Sequence, residues 1–173
     1  SPQDRKVALD IENLGNLTVH SGKVITQTNN TMVLNVTRDS ETHLSFQLTP
    51  GNMTGSFLDA EHVYLTGHWY PRPLSLAEYQ LTLKIPHEFV AVSEADAILR
   101  EQSGSMAIYT FDFHHPVDAI HLVASSRFMV RRDYFQGIEI ETCFFKEDAG
   151  LAETYLRHAV SYLQKYQARL TPY

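Results

Sequence analysis

At 173 residues, with 43% hydrophobic and 20% charged side chains, the chain has the composition of one ordinary folded domain. A net charge of −6 with scattered basic residues argues against an electrostatic nucleic-acid surface. The one cysteine, Cys143, rules out an internal disulfide, and no apolar run approaches the ~20 residues of a membrane-spanning helix.

A chain of this length buries roughly 70% of the surface that its unfolded form exposes, so residues 1–173 are expected to form a single domain without staples. The first residue is Ser rather than Met and no signal peptide is visible. Both ends are therefore expected to be cut points, and the apparent trimming leans towards an extracytoplasmic location, periplasmic or secreted.

In chain order, Val7, Leu9 and Ile11 alternate with polar residues and predict a first strand, followed by a turn over Asn13–Asn16. Leu17–His20 and Lys23–Thr26 read as a hairpin around Ser21-Gly22. Thr31–Thr37 and His43–Leu48 carry period-two stripes, Met32, Leu34, Val36 and then Leu44, Phe46, Leu48, with a turn at Arg38–Glu41 between them. Pro50–Gly55 is a break. Asn16, Asn29, Asn35 and Asn52 each open an Asn-x-Thr pattern, a glycan acceptor in a eukaryotic secreted protein, or simply part of a Thr- and Asn-rich set of strands and turns.

Glu61–Leu65 predicts a short strand leading into Thr66–Pro73, where two prolines within three residues forbid a central strand. Tyr79–Pro86 places Leu81, Leu83 and Ile85 on one face. Ala95–Gln102 fits a strand or a helical turn. Met106–Phe113 turns Ala107, Tyr109, Phe111 and Phe113 inward. Ile120–Ala124 and Arg127–Val130 follow, then a turn at Tyr134–Gly137 and a strand at Ile138–Phe145. Ala149–Leu170 predicts one long helix. Its stripe of Ala152, Leu156, Ala159, Leu163, Tyr166 and Leu170 is expected to face a core. Asp148 is the expected N-cap, Glu153 and Arg157 an i,i+4 pair, and Lys165 and Arg169 sit at the negative end of the helix dipole. About a dozen strands and one terminal helix give a mainly β fold.

Motifs that would name a chemistry are missing. A zinc peptidase needs two His one helical turn apart with a Glu between them. In His87-Glu88-Phe89-Val90-Ala91 the fifth residue is Ala and the neighbours suit a strand. His114-His115-Pro116 reads as a solvated turn, and the nine His do not converge in spacing, so no metal site is expected in this chain. Ser103-Gly104-Ser105 and Ser125-Ser126 lack the strand–turn–helix setting of a nucleophile elbow and read as a loop and a strand end. Cys143 reads as a structural thiol, and Glu139 with Glu141 as a solvated strand face. Trp69 and Tyr70 are either an aromatic ligand platform or a packed corner.

The order of segments is informative where single motifs are not. Tyr79–Pro86 followed by Phe89–Ser93, then Phe111–Pro116 leading to Ile120–Ser125, the strand Ile138–Phe145 and the helix from Leu151 to Tyr166 resemble the N-terminal domain of zinc aminopeptidases of the aminopeptidase N type. The resemblance runs from about Val63 to Tyr173, and Pro172-Tyr173 looks like the start of the link into a catalytic domain. It implies a saddle-like or sandwich arrangement of antiparallel sheets closed by one C-terminal helix. It implies a non-catalytic domain that packs against its own downstream catalytic domain and borders the substrate cleft, touching peptide substrate at most. The zinc, its ligands and the metal-bound water that attacks the peptide would lie in that missing domain. This chain alone would then hold no catalytic residue, no cofactor and no metal. In such domains a Glu or Gln holds the substrate's free amine, and Glu61 falls near that position, where the bland alternative is a surface Glu at a strand start. Two other readings stay open: a stand-alone β-sandwich binding or adhesion module, and a scaffold domain of a peptidase-like protein that lacks the metal site.

Overall fold

The computed structural model describes residues 5–37, 40–48 and 55–170. Residues of the predicted turns at Arg38-Asp39 and Pro50–Thr54, the Asn52 pattern and the Pro172-Tyr173 link lie outside them. The chain divides into two units, Ser1–Ser125 and Ser126–Tyr173.

The first unit is built from sheets packed in pairs. Strands β1 (Arg5–Asp10), β2 (Leu14–Val19), β3 (Lys23–Gln27), β4 (Thr31–Val36) and β5 (Leu44–Leu48) open the chain. Next come β6 (Phe57–Leu58), β7 (His62–Leu65), β8 (Arg72–Pro73), β9 (Ala77–Pro86) and β10 (Val90–Val92). The unit ends with β11 (Ala97–Ser103), β12 (Met106–Val117) and β13 (Leu122–Ser125). One sheet has the order β3-β4-β1-β8, and the hairpin-like pair β2-β5 faces it. Between them Leu9, Ile11, Met32 and Leu34 are buried, with Leu14, Leu17, Val19 and Leu44 packed against them. The alternation of β1 and β4 selects those residues, because successive side chains of a strand point to opposite faces.

The larger core lies between sheet β10-β13-β7-β6 and sheet β11-β12-β9. The first contributes Ala91, Leu122, Ala124, Val63 and Leu65, and the second contributes Tyr109, Phe111, Phe113 and Ile85. Phe111 is wholly buried, with its ring 5.7 Å from that of Tyr109. The predicted inward face of β12 and the Leu81–Leu83–Ile85 face of β9 are therefore both observed. Ala97–Ser103 is a strand, paired along its length with β12 at the sheet edge and exposed throughout. That exposure explains its weak apolar pattern. Pro73 lies in β8, a two-residue edge beside β1, and Pro71 just before it, positions suited to a residue without an N–H.

Pairing order departs from the expectation at one place. Leu17–His20 and Lys23–Thr26 do not form a hairpin: β2 pairs with β5 and β3 with β4. Gly22, at φ +103°, lets the chain leave one sheet and enter the next.

In the second unit β14 (Met129–Phe135) and β15 (Ile138–Phe144) form a hairpin, followed by a 3-10 segment at Lys146–Leu151 and helix α1 (Ala152–Arg169). The turn is Gln136-Gly137 alone, at φ 50° and 85°, so Tyr134 and Phe135 belong to the strand. Two central residues with positive φ make the turn type whose twist matches that of the strands. Asp148 does not cap the helix. Its N–H bonds to the Phe145 carbonyl inside the 3-10 turn, and Leu151 occupies the cap position with no side-chain bond. Arg157 reaches the backbone carbonyl of Glu153 rather than its carboxylate. Of the predicted apolar stripe only Ala152 and Leu156 are buried, while Tyr166 is 56% and Leu170 75% exposed. A two-stranded hairpin offers too little surface to cover an 18-residue helix.

Among the described residues all ten strand pairings are antiparallel and no other α-helix occurs, so the fold is mainly β as expected. No helix of the described residues is long and apolar enough to cross a membrane.

Candidate functional site

The residues singled out in the sequence do not gather into one place. His87 and Glu88 form the turn after β9, and Phe89 is buried in the core. There is no helix here to set two ligands one turn apart, so these residues do not fit the catalytic zinc of a peptidase. His114 and His115 lie on β12 rather than in a turn, beside an irregularity in its pairing with β9. The Asp96 carboxylate accepts the His114 N–H at 2.6 Å and contacts His115 Nδ1 at 3.1 Å. The His115 hydrogen bond, followed by the His114 N–H, holds the Asp96 carboxyl below the usual carboxylate range. All of this lies on an open surface and is a brace for the strand.

Ser103 ends β11, Gly104-Ser105 is the β11–β12 hairpin turn, and Ser125 closes β13 as a buried side chain. Cys143 is half-buried on β15, with Sγ 3.4 Å from Glu141 Oε1. Burial first, and then the neighbouring carboxylate, pushes its thiol up to about 12, the opposite of what a nucleophile needs. Glu139 and Glu141 both meet Arg132 Nε, at 3.0 and 2.6 Å. A guanidinium clamped by two carboxylates leaves neither acid free for proton transfer.

Trp69 and Tyr70 are a packed corner. The Trp69 Nε1–H donates to the Ile120 carbonyl at 2.9 Å, and the Ile120 N–H donates to the Tyr70 hydroxyl at 3.1 Å. Their rings stand edge-on at 4.8 Å, and Tyr79 continues the cluster at 5.8 Å from Tyr70. Burial drives the Tyr70 phenol well above its ordinary range. Glu61 sits exposed just before β7, its N–H held by Asp59 Oδ1 at 2.8 Å. Asn16 and Asn29 are exposed, whereas Asn35 lies half-buried on β4 between β1 and β3.

One cluster escaped the sequence reading. β1 ends at Asp10, and the Glu12 N–H folds back to Asp10 Oδ1 at 3.1 Å, which puts the two carboxylates on one side of buried Ile11. Arg72 stands directly across from Asp10 in the β1–β8 pairing, and its Nη2 lies 3.2 Å from Asp10 Oδ2. Trp69, pinned in the core, throws its neighbour His68 to the opposite side. There His68 Nδ1 lies 2.7 Å from Asp10 Oδ2 and 3.9 Å from Glu12 Oε2. The Nδ1 atom is sealed from solvent, yet no hydrogen bond of acceptable direction reaches it. The short distance to Asp10 is therefore a contact off the nitrogen's bonding axis. Among the described residues this is the group of three ligand-type side chains that converges, with donor atoms within 4.8 Å of one another.

No protein-family model matches the sequence, and no curated protein matches it. Solved structures do. The M1 zinc metallopeptidase of Deinococcus radiodurans superposes with a TM-score of 0.62 at 15% identity, over 99% of this chain and 47% of that one. A mutant of the same enzyme gives 0.64 at 16% identity, over 97% and 46%. A two-domain M1 zinc metallopeptidase mutant bound to L-tryptophan gives 0.59 at 14% identity, over the same shares. At these identities the likeness is one of fold. The chain spans about half the length of the enzymes it matches. The resemblance to zinc aminopeptidases drawn from segment order thus holds at the level of the fold.

Proposed function

We propose that residues 1–173 are one non-catalytic, β-rich N-terminal domain of a zinc aminopeptidase-like metallopeptidase. In that role the domain packs against a downstream catalytic domain and borders its substrate cleft. The observation that supports this reading best is the pair of coverages: nearly all of this chain superposes on less than half of each M1 enzyme. The side chains agree with a supporting role. The carboxylates of Glu139, Glu141 and Asp96 are engaged, the Cys143 thiol is held protonated, and His87-Glu88 lies on a turn. Zinc, when bound in the catalytic domain, would supply the Lewis acid for peptide hydrolysis, and the residues of this chain take no step in it.

The test compares two proteins. The 173-residue chain, supplied with zinc, is expected to release nothing from aminoacyl-nitroanilide substrates. A longer protein that carries this chain followed by its own downstream sequence is expected to hydrolyse them and to lose that activity to a chelator. Zinc-dependent turnover by the 173 residues alone, or a chelator-insensitive longer protein, would overturn the reading.

A further inference from the structure

We propose that Asp10, Glu12 and His68 form a binding site for a divalent transition-metal ion of the zinc or manganese class. The inference goes beyond the peptidase reading and does not depend on it. It also departs from the expectation, drawn from residue spacing, that this chain holds no metal.

Three independent features point to a cation. The first is convergence. Donors from the end of β1 and from the bend before β8, far apart in sequence, meet within 4.8 Å. Ligands sharing one ion at about 2.1 Å each lie no more than about 4.2 Å apart. The His68–Asp10 distance of 2.7 Å and the His68–Glu12 distance of 3.9 Å are already inside that limit.

The second feature is the orphaned nitrogen. A buried polar atom without a partner is rare, and each one calls for a compensating group. His68 Nδ1 is sealed from water and lacks a directed hydrogen bond although two carboxylates stand beside it. A cation among the three donors would take up the imidazole lone pair, which a carboxylate oxygen cannot.

Charge is the third. Two carboxylates against one guanidinium leave the cluster one negative charge in excess when His68 is neutral. Arg72 is the competing cation, 3.2 Å from Asp10 Oδ2. Its presence is compatible with a metal, because a carboxylate oxygen has two lone pairs and a hydrogen bond to a ligating carboxylate fixes that ligand's orientation.

The donor set gives the class. Imidazole nitrogen favours zinc, iron, copper or nickel, and carboxylate oxygen tolerates manganese, whereas a magnesium or calcium site takes oxygen alone. The His68 side chain is 36% and the Glu12 side chain 47% exposed, so the cluster lies at the surface although the Nδ1 atom itself is covered.

The test titrates the 173-residue chain, stripped with EDTA and dialysed, with ZnCl2 by calorimetry. Co2+ absorption reports the ligand field. One equivalent should bind, and a tenfold excess of Mg2+ should not displace it. His68→Ala and Glu12→Gln should each weaken binding at least about 100-fold, more than the loss of an outer-sphere partner costs. Glu12→Gln leaves the Asp10–Arg72 pair in place, and a melting curve confirms that each variant is folded. His121→Ala, which removes a histidine paired with Glu94 elsewhere on the surface, is the control and should bind as the parent does. Absence of stoichiometric binding, binding that survives His68→Ala, or binding that vanishes in His121→Ala would each overturn the site. Displacement by Mg2+ would overturn the metal class.

Discussion

Trp69 Nε1 donates to the carbonyl of Ile120, fifty-one residues further on, at 2.9 Å and out of reach of solvent. This one bond ties the proline-rich segment around β8 to the connection that enters β13. The Tyr70 hydroxyl, accepting the Ile120 N–H, completes both backbone groups of the same residue. A buried carbonyl left without a donor costs about 1–3 kcal/mol, and a smaller ring adds a void. Trp69→Phe should therefore lower the unfolding free energy by roughly 2–4 kcal/mol in urea titration. A loss below about 0.5 kcal/mol, the level of an ordinary surface change, would show that the corner does not hold the unit together.

The β14–β15 turn can be improved. Gln136 adopts φ 50° and precedes Gly137 at φ 85°. Asn tolerates the left-handed region better than Gln, and Asn-Gly is the preferred pair for this turn. Gln136→Asn should stabilise the chain by about 0.5 kcal/mol, read as a rise in the urea midpoint at unchanged slope. Gln136→Pro, which cannot reach positive φ, should lower the midpoint.

Local features of the chain were legible and distant ones were not. Period-two alternation marked β4, β9 and β12 and named their inward residues, because burial on one face writes itself into every second position. It could not say which strand lies beside which. Leu17–His20 and Lys23–Thr26 looked like a hairpin because Ser21-Gly22 is good turn chemistry, yet β2 found β5 across an intervening pair of strands. The helix stripe is covered only along its first half: Ala152 and Leu156 are buried and Ala159 and Leu163 half-buried, whereas Tyr166 and Leu170 have no core beneath them within the second unit. The Asp10–Glu12–His68 cluster was invisible for the same reason as the strand order. Spacing along the chain carries no sign of a convergence made by the β1–β8 pairing and the buried anchor at Trp69.

Cys143 gives the chain a defined alkaline limit. Its thiol is raised from an ordinary 9.0 to about 12, by burial first and by Glu141 second. A group whose folded value lies above its unfolded one stabilises the fold below the unfolded value. That stability is lost as pH rises through the folded value, because the unfolded chain sheds the proton first. Stability should thus fall between pH 9 and about 12 more steeply in the parent than in Cys143→Ser, followed by urea midpoints at each pH. Reaction with iodoacetamide at pH 8.5 should be slow, and faster in Glu141→Gln, where the neighbouring negative charge is gone. Equal pH profiles for parent and Cys143→Ser would contradict the assignment.

Gly22 carries a double constraint. Its φ of +103° is a conformation that side chains strain to adopt, and a Cβ placed there would stand 2.9 Å from Thr42 Cγ2 and 3.0 Å from its Oγ1. The two costs are separable. Gly22→Ala should destabilise by about 1–3 kcal/mol from the backbone alone, with the clash added to it. Thr42→Ala in the same chain removes the atoms that the new methyl would meet but leaves φ unchanged. The double variant should therefore recover only part of the loss, the remainder being the backbone strain. Full recovery would mean that φ at Gly22 relaxes freely, and that the connection between β2 and β3 does not require glycine.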